Sequence, residues 1–370
     1  MQSRGFLNER TKRPITKNKE WTIIMDNNEF TVQTEENNTS KQRDYKLVCA
    51  KLGLIMCVYF TCRLAAGWVA TQLSSVSDRL GEDMVSLIYA VVVIVLIYII
   101  PILVAALLFN SFKNYNGNYR KLYAKPRRLA RALGTFPATF GFGHGIALLT
   151  LLISFLITRN LSGHSHLEDL VRPTVIEPST NIASMMAMVF LLVVIAPVFE
   201  EFFTRGIMYD ALKPYGTGMA ILISSLLFGL MHGSLYMLFY TTAYGLALGY
   251  IRYATDSLFT VTILHAIVNA IGAGALVLSS LVLMTNEENR ALNTINIIFI
   301  LAVLIMIIVG VVVFLSKIPA IRKYKIENSW TEIGPWKKTA WFFISIPVII
   351  MMVLAFNELS GFWLSGLLLQ

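Results

Sequence analysis

Charge is what this chain lacks most. Of its 370 residues only 14% are Asp, Glu, Lys or Arg, while 56% are hydrophobic and mean hydropathy is +0.63. A soluble chain of this size carries about 25% charged residues, so a soluble globular domain is excluded. Short-period alternation is missing too. The apolar runs, of about 20 residues or more, are unbroken, which excludes barrel strands and indicates spanning helices. Nothing in residues 1–45, polar and mixed in charge, reads as a signal peptide. Met25 offers a second start, and no role is assigned to the 24 residues before it. The three cysteines, Cys49, Cys57 and Cys62, all fall in the first apolar segment at i, i+8 and i+13, which is no metal spacing. Internal repeats and low-complexity segments are absent.

What is present is a series of spans, at 48–70, 84–109, 135–158, 182–212, 217–233, 235–253, 258–284, 292–316 and 338–357. The expected fold is all-α, a polytopic transmembrane helical bundle of about nine spans. Placing the N-terminus inside puts 25 lysines and arginines on the inner side against four on the outer (Arg79, Arg159, Arg172 and Arg290), with Lys51 and Arg63 inside the first span. That asymmetry follows the positive-inside rule. It predicts a polar cytoplasmic tail (1–46), N-terminal transmembrane helices with a basic cytoplasmic loop (47–180), a four-helix core (181–285) and C-terminal transmembrane helices (286–370). The expected location is the plasma membrane of a bacterium, in contact with lipid.

The net charge of +9 is accounted for by these inner loops, and no nucleic-acid partner is inferred. The segment "KNYNGNYRKLYAKPRRLARALG" (113–134) is read as a cytoplasmic loop or interfacial helix on anionic lipid. "SGHSHLEDLVRP" holds His164 and His166 beside Glu168 and Asp169, and is read as a solvated loop rather than a metal site. The terminal "FNELSGFWLSGLLLQ" is too short to span and is read as interfacial.

One stretch breaks the apolar pattern. After the uncharged "NIASMMAMVFLLVVI" comes "APVFEEFFTRGI" (196–207), with Glu200, Glu201 and Arg205 in the same hydrophobic helix. An ionised side chain at the bilayer centre costs roughly 2.5–3.5 kcal/mol even on the permissive scale, so such groups face the bundle interior and find partners. Glu201 and Arg205 stand i, i+4 and can neutralise one another, in the plainest reading as a strut. Glu200 points about 100° away and needs a partner on another helix. "FGLMHGS" supplies Phe228 and His232, i, i+4 and read as one helix face. Measured from the turn "KPYGTG", Glu200 and His232 both lie some 20 Å away at about 1.5 Å per residue, and so at one level. "VTILHAIVNAIGAG" adds His265 and Asn269 on one face, with Gly272 and Gly274 read as close-packing residues. Of the five histidines, His232 and His265 are read as the two within apolar helices.

A carboxylate beside an imidazole can act as general base on water. A second histidine with an amide offers donors to the oxyanion formed on a carbonyl. This is peptide or ester hydrolysis without a nucleophilic Ser or Cys. Zinc held by Glu200, His232 and His265 is the alternative, although no His-Glu-x-x-His run exists. Asn269 weighs against it, because an amide is a poor zinc ligand and a good oxyanion donor, so no metal is favoured.

"EEFFTR", "FGLMH" and "HAIVN" fit Glu-Glu-x-x-x-Arg, Phe-x-x-x-His and His-x-x-x-Asn. In that order they resemble the CPBP family of CAAX prenyl proteases and bacteriocin-processing proteins, over about 181–285 with no departure at a motif position. The resemblance implies an intramembrane endopeptidase with a helical bundle around a polar cavity. It assigns Glu200 and His232 to water activation and His265 with Asn269 to the oxyanion. Glu201 and Arg205 then support the cavity or bind substrate. The family is commonly labelled metalloprotease, and its members cut prenylated proteins or serve bacteriocin maturation and immunity. The expected partner is a peptide or protein substrate, with lipidation as one option. Two other readings are a non-catalytic scaffold, as in immunity or envelope regulation, and a proton-coupled transporter using Glu and His as a relay.

Overall fold

The computed structural model describes residues 27–109, 128–162, 181–285, 289–323, 326 and 332–359. Among these every regular element is helical. The chain divides into two compact units, 1–43 and 44–370, and the site lies in the second. His164, His166, Glu168 and Asp169, most of 113–134 and the chain beyond 359 are outside the described residues.

The helices are α1 (Asn27–Ser74), α2 (Asp83–Phe109), α3 (Phe136–Ser162), α4 (Ile182–Tyr215) and α5 (Thr217–Leu230). They continue as α6 (Leu235–Thr255), α7 (Leu258–Met284), α8 (Arg290–Lys323), α9 (Pro335–Phe343) and α10 (Ile346–Leu359). Local chemistry sets several boundaries. Asn181 begins α4 by accepting from the Ser184 amide at 2.8 Å, and Ser257 begins α7 by accepting from Thr260 at 3.2 Å. Both are N-cap hydrogen bonds.

Six helices are long and apolar enough to cross a membrane: Asn38–Ser74, Asp83–Phe109, Phe136–Ile153, Ile182–Tyr215, Leu258–Met284 and Arg290–Ile321. A seventh span results if α9 and α10, bent by 70°, are one crossing. The remaining two of the nine expected spans correspond to α5 and α6. At 14 residues, α5 is about 21 Å long, short of a ~30 Å hydrocarbon core. The tyrosines, threonines and Arg252 of α6 make it more polar than the six.

Two apolar clusters hold the bundle. In one, Tyr45, Leu52, Ile55 and Met56 of α1 join Ile207 of α4, Leu227 of α5 and Met351 of α10. In the other, Phe140 of α3, Leu248 of α6, Leu264 of α7 and Ile307 of α8 pack together. Phe202 of α4 packs against both, so the helix that carries the carboxylates runs between them. The outward faces are apolar: Ile297, Ile305 and Val312 of α8 are largely exposed, as lipid-facing residues should be. At the α3–α8 crossing a Cβ on Gly141 would run into the backbone of Gly310 and Val311, so small residues set that approach.

Candidate active site

The site starts with an irregularity in α4. Residues 191–195 and 202–208 are π-helical, with Ala196 N bonded to Leu191 O. In that i→i+5 register the donor for Leu192 O would be residue 197, which is proline and has no N–H. Asn269 of α7 supplies the missing donor, its Nδ2 giving a hydrogen bond to Leu192 O at 2.8 Å. The amide is thereby oriented, with its second N–H not used in this bond. Asn269 and His265 share a helix, but their amide and imidazole are engaged by different parts of α4.

Glu200 and Glu201 follow between the two π segments. Glu201 is fully buried. Its Oε1 accepts from Arg205 Nη1 at 3.0 Å and from His265 Nδ1 at 2.9 Å. The i, i+4 pair expected from spacing is therefore extended to α7. Arg205, also fully buried, donates further to Thr204 Oγ1 at 2.6 Å and to Gly245 O of α6 at 3.1 Å. Its guanidinium lies 4.5 Å above the Phe228 ring, a cation–π contact in a desolvated place. Phe228 presents its ring edge-on to His232 and His265, at centroid distances of 4.9 and 5.7 Å.

Glu200 is held otherwise. Its Oε1 accepts from the Tyr98 hydroxyl of α2 at 3.2 Å, and its Oε2 lies 3.8 Å from His265 Nε2. Among the described residues it makes no hydrogen bond with His232. His232 itself lies beyond the end of α5, in a turn after Leu230, and not on the helix face with Phe228. The break follows from Gly233 at φ +64 and the extended Ser234 (φ −138, ψ 137). The His232 ring folds back so that Nδ1 meets Phe228 O at 2.8 Å. A carbonyl only accepts, so Nδ1 carries a proton, and in the neutral ring Nε2 keeps its lone pair.

A cavity of about 550 Å³ opens beside Asn269, lined also by His144, Leu192, Tyr240, Gly272 and Phe299. Two sequence readings change here. Gly272 has nothing within 4 Å of a would-be Cβ; it opens the cavity instead of permitting close packing, whereas Gly274 does face Phe299. His144 is a third histidine on an apolar helix, its Nδ1 bonded to Phe140 O at 3.0 Å and its Nε2 3.5 Å from the Tyr240 hydroxyl. Its signal was the one titratable side chain in the apolar span 135–158. Tyr98, equally unflagged, was a lone phenol in "VLIYII".

Among the described residues no three of His, Cys, Asp and Glu are grouped to hold an ion. Of the zinc alternative Glu200, His232 and His265, the Nδ1 of His265 is given to Glu201 and the Nδ1 of His232 to Phe228 O. What the geometry offers is a partly exposed carboxylate (Glu200), a lone-pair nitrogen (His232 Nε2), and donors from His265 and Asn269.

Residues 182–271 match the family model described as type II CAAX prenyl endopeptidase Rce1-like. That segment contains Glu200, Glu201, Arg205, Phe228, His232, His265 and Asn269. No curated protein and no solved structure matches the chain.

Proposed function

We propose, from the premise that this chain belongs through residues 182–271 to the CAAX-type intramembrane protease family, that it is an endopeptidase using water activated by Glu200. The observation that carries this reading is the asymmetry of the two carboxylates. Glu201, fully buried, is tied through Oε1 to Arg205 and His265, whereas the Glu200 side chain is 13% exposed and its Oε2 faces His265 Nε2 at 3.8 Å. In the proposed reaction a water gives its proton to Glu200 while its oxygen attacks the scissile carbonyl. His232 Nε2 accepts the water's other hydrogen and aims it. The tetrahedral oxyanion takes hydrogen bonds from Asn269 and from His265 Nε2, and its collapse returns the Glu200 proton to the leaving amine.

Tautomer logic adds a condition. With Nδ1–H given to Glu201, His265 can donate from Nε2 only as an imidazolium. In that state Glu200, Glu201, Arg205 and His265 sum to zero charge, the balance that suits a largely buried cluster. The reaction is read as metal-free, supported by the amide of Asn269 beside His265 on α7, a poor zinc ligand and a good oxyanion donor. The cavity beside Asn269 is mostly apolar and suits the apolar part of a membrane-embedded substrate, lipidated or not.

The test is a membrane proteome comparison of cells carrying wild type or Glu200→Gln. The expected result is at least one peptide that is shortened in wild type and full-length in the variant. Identical peptide lengths in both would refute proteolysis by this site.

A further inference from the structure

Arg63 is a guanidinium inside the first span, and Glu358 is a carboxylate near the end of α10; neither lies in the family-matched segment. An intramembrane charge needs a partner, and these two supply each other: Arg63 Nε stands 3.1 Å from the Glu358 carboxylate. The Glu358 side chain is 8% exposed and that of Arg63 30%. A pair like this could be a plain staple between α1 and α10. Its second contact says more. Arg63 Nη1 donates to Met231 O at 2.7 Å, and the Tyr59 hydroxyl, one turn earlier on α1, donates to the same oxygen at 2.9 Å. Tyr59 is 4% exposed.

Met231 caps α5 and immediately precedes His232. The last carbonyls of a helix have no intrahelical donor, so this oxygen depends on what other elements bring to it. Here they bring two donors, one of them charged, the stronger kind. The neighbouring Gly233 closes the clamp. A Cβ there would fall against Arg63 Nη2 and Glu358 Oε2, so the ion pair lies directly on the turn, and the left-handed φ of +64 suits glycine anyway.

We infer that Arg63 and Tyr59, with Glu358 fixing the guanidinium, are positioning residues that hold the Met231–Gly233 turn so that the His232 ring keeps its Nδ1–H on Phe228 O and its Nε2 towards the site. The inference rests on the reading that His232 acts on the catalytic water. It gives the first and last described helices a share in the active site: the matched segment supplies the reacting groups, and α1 and α10 fix one of them. A tethered ring loses less freedom on reaching the reactive geometry, which is how positioning contributes to rate.

The experiment uses the full chain in lipid nanodiscs with ¹⁵N-labelled histidine, reading the ring nitrogens of His232 against those of His265. Arg63→Met with Glu358→Met removes both charges together, a change that buried pairs often tolerate without loss of stability. The expected result is a second set of His232 ring signals from the other tautomer, with His265 unmoved. Amide exchange at Gly233 should rise about tenfold, the scale of one lost hydrogen bond. Arg63→Lys, which keeps a charged donor, should return most of the wild-type spectrum. Should the double variant not fold, Tyr59→Phe keeps the ring volume and should move His232 in the same direction by less. Unchanged His232 signals in a folded variant, or shifts of equal size at His265, would overturn the inference. Because no step of this readout needs proteolysis, active Glu200→Gln would refute the catalytic reading while leaving the clamp to be decided by these spectra.

Discussion

Glu200 and Glu201 are adjacent in the chain and chemically separate in the fold. One peptide step rotates the second carboxylate into the Arg205–His265 network and leaves the first between Tyr98 and the His265 edge. The Tyr98 hydroxyl is the only hydrogen-bond donor to the Glu200 carboxylate among the described residues, so it sets that group's orientation. Tyr98→Phe should therefore lower kcat by about tenfold, the scale of one hydrogen bond to a charged group, and leave KM nearly unchanged. Steady-state kinetics decide it: a rise in KM with constant kcat would place Tyr98 in substrate binding. The sequence pointed to Glu200, Glu201, Arg205, His232 and His265 because ionisable groups in an apolar run are conspicuous. It did not point to Tyr98, since a phenol belongs at many places in a membrane helix and its partner is 102 residues away.

At the scale of elements, α4 bends the ordinary rules where function sits. Pro197 removes a donor, the π register assigns that loss to Leu192, and Asn269 makes it good. Asn269 thus has two roles that can be parted. Asn269→Ala should destabilise by about 1–3 kcal/mol, the cost of an unsatisfied buried carbonyl. Adding Pro197→Ala, which returns an N–H to Leu192, should recover much of that stability in a denaturation series but none of the activity. Recovery of both would mean that Asn269 is only structural. The cavity gives a second prediction. A side chain at Gly272 meets open space, so Gly272→Leu should fold normally, narrow the cavity and raise KM several-fold; unchanged KM would exclude the cavity as the substrate's place. Little of this was legible beforehand. A π register leaves hydrophobic spacing nearly intact, and the early end of α5 at Leu230 depends on one glycine φ. Gly272 looked like Gly274 until their surroundings, open space and Phe299, told them apart.

On the scale of the whole molecule, α4 runs between two apolar clusters, with reacting groups drawn from α4, α7 and the turn after α5. Helices α2 and α6 contribute Tyr98 and Gly245. Hydropathy revealed the spans because each is an unbroken apolar run. It could not reveal which spans touch, so Arg63 and Glu358 stood as two isolated charges instead of one pair. The absence of a three-ligand group among the described residues carries its own expectation: purified protein should hold well under one zinc per chain by elemental analysis and keep its activity after chelation and dialysis. Stoichiometric zinc whose removal abolishes activity and whose return restores it would reverse that reading. The most direct test of the central claim is the cleavage rate of purified wild type and Glu200→Gln on the precursor identified from membranes. Gln keeps the side-chain volume and removes a charge that is costly in the bilayer, so folding should survive while the rate falls at least about 10²-fold, the scale of general-base catalysis. Comparable rates in a folded Glu200→Gln would contradict the account.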